Sequence, residues 1–356
     1  MLDFVTSDPL GTPSRMRVLS VSGGGLLGVI PAAILMHYET LGRRAYGSGY
    51  RLSDSFDLVG GSSTGAVIAT GVALGLGAAE IADFYLRDVP KGFKRRRRAV
   101  PLLHDLFDGD LMQQFFLKRT GGRCLDRDVL QCHLAITTKD LVNARPMVFS
   151  TLPGSSAEED MTDVVHRRDA LPLDLLLRAS TAAPGLFPPV ELPLLDGEKR
   201  LAADGGLGPF NDPGLLLSRL AWAAGALQVE LTGLGTGSTR PKYRASRWTK
   251  GPSAIRALRA LMGLIKDGEA QTRQMLETVA ASPSEALSYR NIDMGLDRET
   301  FTALGLDVSD QELAAMRNIT KFAGKVQLFE AAMKFAEMKI SDPLPLCIEK
   351  TFAGSV

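Results

Sequence analysis

Short apolar runs alternate with segments of helical periodicity along most of the chain. Arg17–Val21 (RVLSV) is an apolar run that stops at Ser22-Gly23-Gly24-Gly25, and from about Val29 to Leu41 the apolar positions recur at helical spacing. That order predicts a strand, a glycine loop and a helix. The pattern then repeats. Ser53–Val59 predicts a second strand, Gly60-Gly61-Ser62-Ser63-Thr64-Gly65 a sharp turn, and Ala66 to about Leu76 a small-residue helix. Residues 77–133 read as helix and loop. Leu134–Thr138 and Pro146–Phe149 predict strands that pair, and Pro172–Ser180 predicts a helix. Arg200–Ala203, Leu227–Leu234 and Leu287–Ile292 complete the strands, with helix over Pro252–Ala281 and one or two helices over Ser309–Lys339. Apolar runs separated by helices predict an α/β fold with a largely parallel sheet. No repeat, Ser/Gly linker or low-complexity block divides it, which favours one compact domain.

Composition narrows the function classes. Lys and Arg number 41 against 40 Asp and Glu, so a chain-wide basic footprint for nucleic acid is excluded. Apolar residues are 45% and charged residues 23%, which excludes disorder and a coiled coil. Cys124, Cys132 and Cys347 form no CxxC and no even framework; they read as reduced thiols of a cytosolic protein. The N-terminal MLDFVTSDPLGTPSRMRVLS lacks an apolar core of signal-peptide type, and no uncharged apolar stretch reaches ~18 residues without turn formers, so no spanning helix is expected. Two counts stand apart: 36 glycines in 356 residues, above the usual ~7%, and 4 histidines.

Gly61-Ser62-Ser63-Thr64-Gly65 is a G-x-S-x-G following a predicted strand. Such an elbow presents Ser63 at a strained strand-to-helix turn, with glycines where a Cβ clashes and helix N–H groups beside a developing oxyanion. The bland alternative is a small-residue turn without chemistry. A serine nucleophile needs a base. No histidine follows residue 166: His37 and His104 are early, His133 abuts a strand, and His166 sits in the charged stretch VVHRRD, which reads as solvated surface. A carboxylate is the other candidate. Asp204-Gly205-Gly206 ends a short strand, although Asp-Gly is also a common turn. An aspartate near its ordinary pKa is a poor base, so desolvation would have to raise it. Ser22-Gly23-Gly24-Gly25-Leu26-Leu27-Gly28 offers unobstructed backbone N–H groups at a helix start. It matches G-x-G-x-x-G, but no acid lies in 42–47 to bind a ribose and no P-loop lysine is present; an oxyanion hole is the better reading.

Taken in order, SGGGLLG, GSSTG, the run Ala179–Pro184 with Phe187-Pro188-Pro189, DGG at 204 and Leu234-Gly235-Thr236-Gly237 resemble the patatin-like phospholipase family over about residues 15–325. The resemblance implies a three-layer α/β/α sandwich with a mostly parallel central sheet, its catalytic domain at 15–325 and a C-terminal helix and tail at 326–356 packed on it. It also implies a Ser–Asp dyad without histidine: Ser63 as nucleophile, Asp204 as base, and the N–H groups of Gly23, Gly24 and Gly25 as oxyanion hole. In the family, the glycine loop commonly carries Arg or Lys, thought to hold the loop in shape, where this chain has Leu27. The implied reaction is hydrolysis of fatty-acyl esters of phospholipids or related lipids through an acyl-enzyme, with no metal or cofactor, in a cytoplasmic protein acting at the inner face of the membrane. The run Lys94, Arg95, Arg96, Arg97 and Arg98 is a candidate contact for a membrane surface or another anion, with a solvated loop as its bland alternative. By analogy with bacterial single-domain members, a cyclic nucleotide is a candidate activator. The competing classes are a catalytically silent scaffold of the same fold and a nucleotide-binding module.

Overall fold

The computed structural model describes residues 14–97, 104–153, 163–166, 171–193, 199–238 and 253–347, with backbone alone for 163–166 and 253–259. Nine described strands form one sheet: β1 Arg15–Val21, β2 Leu58–Ser62, β3 His133–Asp140, β4 Pro146–Ser150, β5 Asp163–His166, β6 Val190–Pro193, β7 Lys199–Asp204, β8 Gln228–Leu234 and β9 Leu287–Ile292. Their order is β5-β4-β3-β2-β1-β8-β9, with β7 added to β3 and β6 to β7. The central run β3-β2-β1-β8-β9 is parallel throughout. β4 and β7 join β3 antiparallel. The helices are α1 Val29–Tyr46, α2 Thr64–Ala73, α3 Ala78–Asp83, α4 Val89–Gly92, α5 Gly109–Thr120, α6 Leu173–Ser180, α7 Gly214–Ala223, α8 Ser253–Ala280, α9 Arg298–Ala303, α10 Asp310–Met316 and α11 Lys325–Lys339.

A parallel strand covered on both faces reads as a nearly continuous apolar run. β1 shows this: Leu19 and Val21 enter a core shared with α1, α2 and α6, while Met16 and Val18 enter a second core with Leu216, Leu217 and Leu220 of α7 and Leu276 of α8. The result is a sheet between two helical layers, and α11 is packed on α1. The stretch Gly25–Tyr46 is long and apolar enough to cross a bilayer, but 72% of its apolar window is buried inside the fold, where it forms the main core helix.

Several elements differ from the sequence-based expectation. The strand predicted from Ser53 begins at Leu58; Leu52–Ser55 is a 3₁₀ turn, closed by the Arg51 N–H donating to the Asp54 carboxylate at 2.8 Å. Val164–His166, the start of the stretch VVHRRD read as solvated surface, belong to strand β5, which pairs with β4. The short strand β6 and helix α9 carry too few apolar residues to show a period.

Candidate active site

β3 is longer than its neighbour β2, and the site forms where β2 stops. Ser62, the last residue of β2, pairs with Thr137 of β3. On the next rung the same flank of β3 is taken over by β7, whose last residue, Asp204, pairs with Thr138. Two strands of opposite direction therefore end against successive rungs of a third, and Ser63 meets Asp204.

Ser63 has φ 53° and ψ −121°, a strained conformation for a residue with a Cβ. It persists because the surrounding packing leaves no alternative. A Cβ on Gly65 would lie 1.9 Å from the Val21 carbonyl oxygen, and one on Gly61 would lie 2.1 Å from the Gly65 carbonyl carbon. The Ser63 N–H donates to Ser180 Oγ at 3.0 Å, and that hydroxyl donates to the Thr137 carbonyl at 2.8 Å, which ties the elbow to the end of α6 and to β3. The Ser63 hydroxyl is partly exposed and donates to Asp204 Oδ2 at 2.7 Å.

Asp204 is buried, 6% exposed. Its Oδ1 accepts the Gly206 N–H at 2.8 Å, and its own N–H donates to the Ala182 carbonyl at 3.1 Å. Burial pushes its pKa up to about 6, with the hydrogen bonds from Ser63 and Gly206 pulling the other way. A carboxylate so placed is ionised at neutral pH yet a far better proton acceptor than an exposed aspartate.

The glycine loop follows β1, the strand beside β2, so loop and elbow emerge side by side at the carboxyl ends of adjacent parallel strands. The Gly23 N–H is committed to the Asn211 carbonyl at 2.9 Å, and the Gly23 carbonyl accepts from Thr236 Oγ1 at 2.7 Å. Gly24 fits tightly on Thr236: a Cβ there would lie 2.3 Å from Oγ1. Gly25 has φ +58°, and the Leu26 N–H donates to the Ile319 carbonyl at 2.9 Å. Asn211, Thr236 and Ile319 thus clamp the loop from three sides. Leu27 is buried, 6% exposed, in the apolar core.

A model of the patatin-like phospholipase family matches residues 19–213, more than half of the chain. This chain belongs to the patatin-like phospholipase family. The chain is accordingly a lipid acyl hydrolase. Among curated relatives, it is 25% identical over 346 residues to Patatin-T5 of Solanum tuberosum, covering 89% of this chain and 85% of that one. It is 28% identical over 209 residues to the cGAMP-activated phospholipase of Vibrio cholerae, a match spanning 56% of each. The solved structure of VipD from Legionella pneumophila is similar over 92% of this chain and 70% of that one, at 13% identity and TM-score 0.35.

The remaining candidate residues of this patatin-like phospholipase fall elsewhere. His37 Nε2 contacts the Ile340 carbonyl at 2.9 Å, and His133 Nδ1 contacts the Thr151 carbonyl at 3.1 Å at the start of β3, the end remote from Ser63. His166 ends β5, whose backbone pairs with β4. Lys94, Arg95, Arg96 and Arg97 are exposed; Arg98 lies outside the described residues. The basic run is linked by backbone to the Ala179–Pro184 run: the Arg96 N–H donates to Leu106 O, and Leu106 N–H to Gly185 O, the residue directly after Pro184, while Ser180 and Ala182 of that run bond Ser63 and Asp204. Sequence reasoning did not single out Asn211 or Ile319, which act through backbone carbonyls and leave no side-chain signature.

Proposed function

We propose that the protein hydrolyses fatty-acyl esters of phospholipids through a Ser63–Asp204 dyad. The observation that carries this is the 2.7 Å hydrogen bond from Ser63 to a buried carboxylate whose proton affinity burial has raised. Ser63 Oγ attacks the acyl carbonyl as its proton passes to Asp204 Oδ2. The tetrahedral oxyanion is stabilised by the N–H groups of Gly24 and Gly25, since that of Gly23 serves the Asn211 carbonyl. Collapse breaks the ester C–O bond, and the leaving lysolipid alkoxide takes the proton from Asp204. Water then attacks the acyl-enzyme, giving its proton to Asp204 as the fatty acid leaves and Ser63 regains its hydrogen. The exposed basic run supports docking on anionic headgroups, each cation adding about 1 kcal/mol near such a surface.

The test compares wild type with Ser63→Ala and Asp204→Asn on a soluble short-chain nitrophenyl ester and on total lipid extract analysed by mass spectrometry. Both variants should be silent on both substrates. Ester hydrolysis that survives Ser63→Ala would sink the assignment. Similarity to a relative named as cGAMP-activated supports a second reading, that a cyclic dinucleotide switches this activity on. Activity on lipid with and without added cyclic dinucleotide checks it; equal rates reject it.

A further inference from the structure

Lys325 is the first residue of α11 and is completely buried, yet no carboxylate pairs with it among the described residues. Its Nζ donates to the Met316 carbonyl at 2.6 Å and to the Ala315 carbonyl at 3.2 Å, the last carbonyls of α10. A cation there answers the negative end of the α10 dipole. Burial lowers its pKa to about 8, the mark of an ammonium kept in place against a desolvation cost. A buried charge held at such a cost invites a functional explanation.

The segment that Lys325 closes supplies one. Residues 317–324 leave α10 and return to α11, and the lysine ties the two ends together. Inside the loop, Asn318 Oδ1 accepts from the backbone N–H groups of Thr320 and Lys321, both at 3.0 Å, and Arg317 Nε donates to the Leu296 carbonyl at 2.6 Å. At the apex, the Ile319 carbonyl accepts the Leu26 N–H and lies where a Cβ on Gly25 would be only 2.6 Å away. Of the three clamps on the glycine loop, Asn211 and Thr236 hold Gly23; Ile319 holds the Gly25–Leu26 end.

We propose that Lys325 is a positioning residue that sets the oxyanion loop through Ile319. The inference rests on the reading of Gly24 and Gly25 as oxyanion donors. Lys325 touches neither substrate nor Ser63; it fixes the carbonyl against which the donor-bearing loop is seated. A donor displaced from the transition-state oxygen lowers kcat and leaves ground-state binding nearly untouched.

The test is Lys325→Met, which keeps the volume and removes both charge and donors. Three quantities are read: kcat and KM on a soluble ester, the melting temperature, and amide hydrogen exchange at Leu26. The clamp predicts kcat lowered about tenfold at unchanged KM, about a tenth of the loss expected when a whole oxyanion donor is removed. It predicts exchange at Leu26 at least about tenfold faster, as the Ile319 acceptor loosens. The melting temperature should change little, because relief of the ammonium's desolvation offsets the two carbonyl hydrogen bonds lost. Wild-type kcat, or unchanged Leu26 exchange, overturns the proposal. So does a parallel loss of melting temperature and activity, the sign of a purely structural lysine. Ser63→Ala run in parallel separates the levels: if it still hydrolyses ester, the nucleophile reading falls, while Leu26 exchange continues to decide the clamp.

Discussion

Asp204 and Asp140 sit two rungs apart on the β3–β7 ladder, and both are buried. Their surroundings push them in opposite directions. Burial raises both. At Asp140 the effect is overcome by the N–H groups of Val142 and Asn143, the Asn143 amide and the Arg200 guanidinium at 3.1 Å, which hold its carboxyl below the usual carboxylate range. Among the described residues Asp204 receives only the Gly206 N–H and the Ser63 hydroxyl and no cation pairs with it, so desolvation wins and its pKa rises to about 6. The comparison separates two uses of one side chain. A carboxylate saturated with donors braces a turn; one left under-solvated retains an appetite for a proton, which is what a base requires.

Exchanging the roles by mutation tests this contrast. The largest effect belongs to the proposed catalytic pair: Ser63→Ala or Asp204→Asn should lower kcat/KM by about 10³-fold or more, because members of one catalytic unit fail together. Asp140→Asn should leave kcat within a few-fold but cost about 2–4 kcal/mol in a urea melt, since it strips a partner from Arg200 in a buried site. The stability profiles should also diverge with pH. Asp140, with its depressed pKa, stabilises the fold above its unfolded pKa, and that contribution is lost as pH falls through its folded value. Asp204, with its raised pKa, disfavours the fold once ionised. Asp204→Asn should therefore be more stable than wild type above pH 6, by up to about 3 kcal/mol, the gain vanishing below about pH 4. The smallest effect is expected in the exposed basic run. Replacing Lys94, Arg96 and Arg97 by alanine should weaken sedimentation with anionic vesicles by up to about 3 kcal/mol in low salt and leave soluble-ester hydrolysis unchanged.

Much of this arrangement was legible in the chain. The elbow showed itself because Gly61 and Gly65 flank Ser63 at a spacing that only a doubled-back backbone needs, and both glycines prove to have no room for a Cβ. Asp204 was visible at the end of a short apolar strand. The dyad was not legible from spacing: 141 residues separate its members, and their meeting depends on β2 and β7 ending against successive rungs of β3. The resemblance to a family supplied that pairing. β5 was missed because its four residues lie next to the charged stretch HRRD, so their apolar pair offered no period. Of three glycines named together as donors, Gly23 spends its N–H on Asn211, a backbone contact to which sequence is blind.

Asp204, with no histidine, is the base proposed for Ser63. Labelling by a fluorophosphonate, followed by peptide mass spectrometry across pH, tests this most directly. The adduct should fall on Ser63, its rate should rise through a single ionisation near pH 6, and Asp204→Asn should abolish that rise. Labelling at another residue, or the same pH profile in Asp204→Asn, would contradict it.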